Sequence, residues 1–221
     1  MLTAAEIVAL HDAALARWAG RDDGATSTLP EEAGSGATLL DLVEAEHFAN
    51  FTIWGLEDEA RRRDVADARI AAVKRAIDPW NQRRNDLMEA VDAAILAQLA
   101  NVDVSGAELH SETAGMIVDR LSILALKVRN MDGIAAEAGA EADAQLRREC
   151  FDRARVLREQ RDDLAGCLAR LLEDFAAGRR CFRLYRQMKT YNDERLNPVL
   201  RAAARAGTGA GPARAAARRD R

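Results

Sequence analysis

Proline is scarce in this chain, with four in 221 residues. That scarcity, together with long alanine, leucine, glutamate and arginine segments, favours helix over strand. Cysteine is scarcer still. Cys150, Cys167 and Cys181 are odd in number and form no Cys-x-x-Cys pair, which suits buried free thiols in a reducing cytoplasm. No stretch of about 20 apolar residues exists, which excludes a membrane-spanning helix. The segment Met1 to Glu6 has neither the basic start nor the apolar run of a signal peptide, so none is expected. A strong charge of one sign is also missing. The net charge is −4 with both signs mixed, which excludes nucleic-acid binding by the charge of the core as a whole.

What remains is a set of amphipathic helical segments. Residues 3–19 place Ile7, Leu10, Ala14 and Trp18 on one side. A Gly/Ser/Thr-rich loop follows, and Thr38 can cap a second helix running to about Arg63. Asp67 can cap a third, running to about Leu99, which Pro79 should kink. A turn from Asn101 to Gly106 leads to a fourth helix over about 111–131, ended by Gly133. A fifth, over about 136–177, carries Leu146, Leu157, Leu164, Leu168, Leu171 and Phe175 inward, with Gly178 as its C-cap. A last short helix covers about 179–192 and stops at Asn197-Pro198. The expected fold is an all-α, strand-free bundle of five or six helices over residues 1–205. An Ala/Arg-rich tail over 206–221, without an apolar face, is expected to be disordered.

The functional signal is polarity where apolar residues belong. The segment from His110 to Lys127 is apolar on more than one side, yet Glu112, Asp119, Ser122 and Lys127 are threaded through it. Buried charges need a partner or a ligand, because an unpaired one costs several kcal/mol. On the second helix His47, Asn50, Trp54, Asp58 and Arg61 step by three and four and share a face, with Glu57 beside them. On the third, Asn81 and Arg84 interrupt the stripe of Ile70, Val73, Ile77, Met88, Val91 and Ile95 and are expected to lie largely inside. Near the end of the chain, Tyr185, Gln187, Lys189 and Tyr191 form a basic, amide- and phenol-rich stretch suited to an anionic or polyhydroxylated ligand.

These groups are expected to converge on one cavity with His110 at its mouth. His110, Glu112, Asp119 and Glu57 are the acid/base candidates. Asn50, Trp54, Asp58, Arg61, Asn81, Arg84, Arg120, Lys127, Tyr185, Gln187, Lys189 and Tyr191 are the binding candidates, with arginine and lysine holding anionic groups. No cofactor is expected. A metal would draw on Glu44, His47, His110 and Glu112, since Glu44-Ala45-Glu46-His47 is one Glu-x-x-His unit where a di-iron bundle uses two. No Ser-His-Asp or Cys-His arrangement is convincing.

Four ordered blocks resemble a known family. They are Asn50 to Arg61; Lys74 to Asp78 followed by Asn81 to Asp86; Leu109 to Lys127; and Tyr185 to Asp193 followed by Asn197-Pro198. Together they resemble the bacterial domain-of-unknown-function family 4254 over about Ala49 to Leu200. The family form carries an acidic or polar residue where Gly55 stands and a proline where Ala114 stands. The resemblance implies an all-helical, cytoplasmic bacterial protein, encountered beside glycosyltransferases of surface-polysaccharide assembly. It assigns no mechanism.

Three readings follow. The first is a cavity that binds or transforms a small polar or anionic metabolite in a biosynthetic pathway. The second is a non-catalytic scaffold with a biosynthetic protein partner. The third is a helical metalloenzyme with a His/carboxylate site. A homo-oligomer is compatible with each.

Overall fold

The structure is a computed structural model that describes residues 2–19, 36–137, 144–186 and 195–208. The chain divides into residues 1–185 and residues 186–221. Among the described residues, the regular structure of the larger unit is helical apart from one pair of two-residue strands.

Helix α1 (Ala4–Arg17) and helix α2 (Leu39–Glu59) start on matching capping boxes. Thr3 Oγ1 accepts the Glu6 N–H at 3.2 Å, and Glu6 returns the bond to the Thr3 N–H at 2.8 Å. Thr38 and Asp41 repeat this arrangement at 3.2 and 2.8 Å. Each box satisfies backbone donors that the first helical turn leaves open. Helix α3 (Asp67–Gln98) begins without a side-chain cap, since Ala66 rather than Asp67 holds the cap position. It continues through Pro79, which stands on its exposed side. Helix α4 (Ala114–Glu137) starts three residues later than expected and runs past Gly133. Helix α5 (Ala144–Ala176) ends at Gly178, whose φ of 67° supplies the left-handed turn expected there. A side chain at Gly178 would collide with the Asp103 carbonyl oxygen.

Strand β1 (Glu108–Leu109) and strand β2 (Arg180–Cys181) pair in parallel. Glu108 N–H donates to Arg179 O at 3.0 Å, and His110 N–H to Cys181 O at 2.8 Å. This corrects the strand-free expectation, and it replaces the first part of the expected helix over 179–192. The left-handed residue at 178 turns the chain away from helical geometry, and residues 180–181 find partners on the 108–110 segment. Residues 182–186 are not helical either, and the rest of that expected helix, 187–192, lies outside the described residues.

Helix α2 packs along α3, and α4 along α5, while α1 lies against α2, α4 and α5. Ile7, Val43, Val91, Val118, Leu121, Leu168 and Phe175 join all five in one core. Trp18, Phe51 and Leu126 form a second cluster, and Leu56, Val73, Ile77, Trp80 and Leu87 a third. Leu146, expected inward, is exposed. At the crossing of α3 and α4, Asp92 accepts the Gly115 N–H at 2.7 Å, and Thr113 Oγ1 accepts the Met116 N–H at 3.2 Å.

In the smaller unit, Asn197-Pro198 begins a helix rather than ending one. Asn197 Oδ1 accepts the N–H groups of Val199 and Leu200 at 2.9 and 3.3 Å, which caps helix α6 (Pro198–Thr208). Proline is well placed there because it has no N–H to leave unpaired. Helix α6 runs through residues 206–208, expected to belong to the disordered tail, and the rest of that tail, 209–221, lies outside the described residues.

Candidate functional site

The inward face of α2 carries a polar core. Glu46 and His47 are fully buried and Asn50 nearly so. Val43, Ala49 and Phe51 pack into the apolar clusters around them, so the helix cannot turn these groups to water. Ser122 and Asp119 meet them from α4, and Arg84 from α3.

Asn50 joins the parts. Its Nδ2 lies 2.5 Å from Glu46 Oε1, 2.9 Å from Asp119 Oδ1 and 3.0 Å from Ser122 Oγ. Two amide hydrogens thus serve three acceptors. Ser122 Oγ also shares a 2.7 Å hydrogen bond with His47 Nδ1. The His47 ring lies 4.3 Å from the His11 ring of α1, tilted by 35°, and 5.2 Å from the Trp18 ring. On the other side Arg84 Nε stands 3.7 Å from Asp119 Oδ1 and has no hydrogen-bond partner.

Burial sets the protonation of this core. It raises the Glu46 carboxyl well above the ordinary carboxylate range, and the neighbouring Asp119 carboxylate pushes the same way, against Arg84 and Asn50. Burial holds His47 down to about 4. It also holds His11 well below 6.5, with His47 and Arg161 adding to the effect. Both rings are therefore neutral at neutral pH.

Above this core lies an open cleft of about 370 Å³ between α2, α3 and α4. Asn50 and Arg84 stand where cleft and core meet. Trp54, Glu57, Asp58 and Arg61 line the α2 side, with Ile53, Ile123 and Leu126 as apolar wall. Glu57 is engaged by Lys74 at 3.0 Å and by Arg61 at 3.2 Å. Arg61 and Arg84 thus face Glu57 and Asp58, a balanced set of charges.

The structure therefore brings together Asn50, Trp54, Glu57, Asp58, Arg61 and Arg84, with Asp119 bonded to Asn50 beneath them. The other candidates lie elsewhere. Glu112 pairs with Arg120 at 2.6 Å on the surface, and His110 Nδ1 bonds the Glu112 carbonyl at 2.7 Å. These three do not line the cleft, because α4 begins only at Ala114 and the 112-to-119 spacing is not helical throughout. Arg120 and Lys127 line grooves between α4 and α5 instead. Asn81 and Arg84 are half-buried rather than inside; Trp80 and Asn85 take the buried positions of α3. Tyr185 is exposed. Gln187, Lys189 and Tyr191 lie outside the described residues.

The four residues considered for a metal do not gather. Glu44 pairs with Arg17 at 2.6 Å on the surface, His47 is buried beside Ser122, and His110 and Glu112 sit at the start of α4. Among the described residues no three His, Cys, Asp or Glu side chains come together as ligands. Glu46 and His11 were not singled out from sequence. Glu46 is one turn before Asn50 and next to His47, and that spacing is the signal that could have found it.

The family described as a protein of unknown function, DUF4254, matches residues 40–184, about two thirds of the chain, and the chain belongs to it. No curated protein and no solved structure matches.

Proposed function

We propose that this member of the family binds a small polar metabolite with an anionic group in the cleft between α2, α3 and α4. The observation that carries this reading is Arg84. Its guanidinium lines the cleft, its Nε is buried without a hydrogen-bond partner, and its carboxylate neighbour stands off at 3.7 Å. A planar donor fork held so loosely suits a carboxylate or phosphate, which it can engage with two parallel bonds. The balanced lining suits a ligand that also carries hydroxyl or amine groups, which Glu57 and Asp58 can accept. Trp54 and the apolar wall would cover its carbon frame. A cytoplasmic setting in a bacterial biosynthetic pathway goes with this proposal. Its support is the family resemblance, with three free cysteines suited to a reducing compartment.

Trp54 gives the test. Trp18 and Trp80 are buried, whereas Trp54 lines the cleft. Sugar phosphates, hydroxy acids and amino acids titrated against the protein should include a class that changes the indole fluorescence saturably. Trp54→Phe should remove that change. Arg84→Gln should weaken binding by roughly ten- to a hundredfold, the value of one charge-assisted contact of about 1.5–3 kcal/mol. Binding of equal strength in the Arg84→Gln protein would defeat the proposal.

A scaffold reading rests on a different feature. A groove of about 490 Å³ between α4 and α5, which Trp54 of α2 also borders, is lined in part by Met131, Val156 and Leu157, and Phe151 stands exposed on α5. Charge substitutions at Phe151 and Val156 that abolish the cellular phenotype, while Arg84→Gln leaves it intact, would favour that reading.

A further inference from the structure

We propose that Glu46 and Asp119 act as one acid–base pair behind the cleft, with a single proton between them, in which Glu46 holds the proton and Asp119 the charge. The inference rests on the cleft reading for its ligand, but not for the pair itself.

The geometry leads to it by counting donors. Both carboxyl groups converge on one amide nitrogen, Asn50 Nδ2, at 2.5 and 2.9 Å. Asn50 satisfies Glu46 Oε1. Glu46 Oε2 is buried and receives no donor from any described group. Because both carboxyls lie against the same amide nitrogen, Asp119 stands beside Glu46. Two ionised carboxylates cannot share that space against a single arginine at 3.7 Å. One proton on Oε2, donated toward Asp119, removes both faults. It gives the orphan oxygen a partner and leaves one negative charge for Arg84.

The two histidines beside the pair add no positive charge at neutral pH. His11 from α1 and His47 from α2 are held neutral, with Ser122 of α4 bonded to His47. Arg129 of α4 and Arg161 of α5 act on His47 and His11 respectively.

The pair has a consequence for binding. When an anionic ligand engages Arg84, Asp119 loses its counter-charge. The Glu46–Asp119 pair is then left without an opposing arginine, and it takes up a proton from solvent. Release of the ligand returns that proton. The ligand class is therefore an anion that Arg84 can hold in place of Asp119.

The proton is tested directly on the intact protein by infrared spectroscopy at neutral pH, with glutamate labelled by carbon-13 at the side-chain carboxyl. The expected result is a protonated-carboxyl band that shifts with the glutamate label and is lost in Glu46→Gln. No such band, or one that persists in Glu46→Gln, overturns the pair. Should Glu46→Gln fail to fold, the label shift in the parent still decides whether a glutamate holds the proton, and Asp119→Asn should move that band. An unmoved band would overturn the pairing.

The linkage is tested by calorimetric titration of succinate and inorganic sulfate in buffers of differing ionisation enthalpy, where the binding heat reads the protons exchanged, with Trp54 fluorescence reporting binding alongside. Binding with uptake of about one proton supports the linkage, and binding without it overturns it. Failure of every anion to bind, with the infrared band present, overturns the cleft reading and leaves the pair standing.

Discussion

Asp92 accepts the Gly115 N–H at 2.7 Å, and a Cβ at position 115 would stand 2.6 Å from the Met88 carbonyl oxygen and 2.9 Å from Asp92 Oδ1. The absent side chain lets the start of α4 lie on α3. It thereby fixes where Asp119 and Ser122 emerge relative to Asn50. Gly115→Ala is expected to lower stability by about 1–3 kcal/mol, because backbone must shift to admit the methyl group. Denaturant melts check it. A variant as stable as the parent would mean that the two helices are not in close register here.

Acid should destabilise the protein through its buried histidines. His47 is held down to about 4 and His11 well below 6.5, both by burial first. Their folded pKa lies under the unfolded value, so the unfolded chain binds more protons as pH falls below 6.5. Stability is present above that pH and is lost between 6.5 and about 4. His47 alone accounts for about 3 kcal/mol over this window, at about 1.4 kcal/mol per unit. Glu46 works in the opposite sense. Its folded pKa lies above 4.5, so its contribution is present below 4.5 and is lost as pH rises through the folded value. Two histidines outweigh one carboxyl in the shared window, and Glu46→Gln should steepen the acid loss. Melting curves from pH 7.5 to 4.5 that stay flat in both proteins would contradict this.

Arg84→Ala should cost about 1–3 kcal/mol, less than the 3–5 of a fully buried pair. The side chains of Arg84 and Asp119 remain 26% and 13% exposed, so water softens the loss. The Glu46–Asp119 pair would then carry its charge with no arginine opposite, a fault that added protons relieve. The deficit should therefore shrink as pH falls, in urea melts at two pH values. A deficit that does not vary with pH would place Asp119 outside the influence of Arg84.

Glu112→Gln should leave cleft binding unchanged and move stability by less than about 1 kcal/mol. Its pair with Arg120 is exposed on both sides, and exposed pairs contribute little. A loss of Trp54-monitored binding in Glu112→Gln would return the start of α4 to the site.

The helices were legible because their signals are local. Thr38 and Gly178 each act within four residues of chain, and both hold the expected cap or turn. The α2 part of the cleft was legible for the same reason, since Asn50, Trp54, Asp58 and Arg61 follow helical spacing. Glu46 was not. Placed between Glu44 and His47, it reads as one charge of a solvated face, and only the packing of Val43 and Ala49 shows that it is buried. His110, Glu112 and Asp119 seemed one set because a helix start at 111 would have aligned them. The 108–110 segment instead bonds residues 179–181, a long-range pairing that no local pattern announces.

The central claim is that the α2–α3–α4 cleft holds a small anionic ligand on Arg84. A crystal structure of the protein soaked with the anion that gives the strongest Trp54 response tests it most directly. The account expects density for the ligand's anionic group within hydrogen-bonding distance of the Arg84 guanidinium, with Asn50 at its base and Trp54 along its side. Density confined to the α4–α5 groove, or an empty cleft in a protein that still binds in solution, would contradict it.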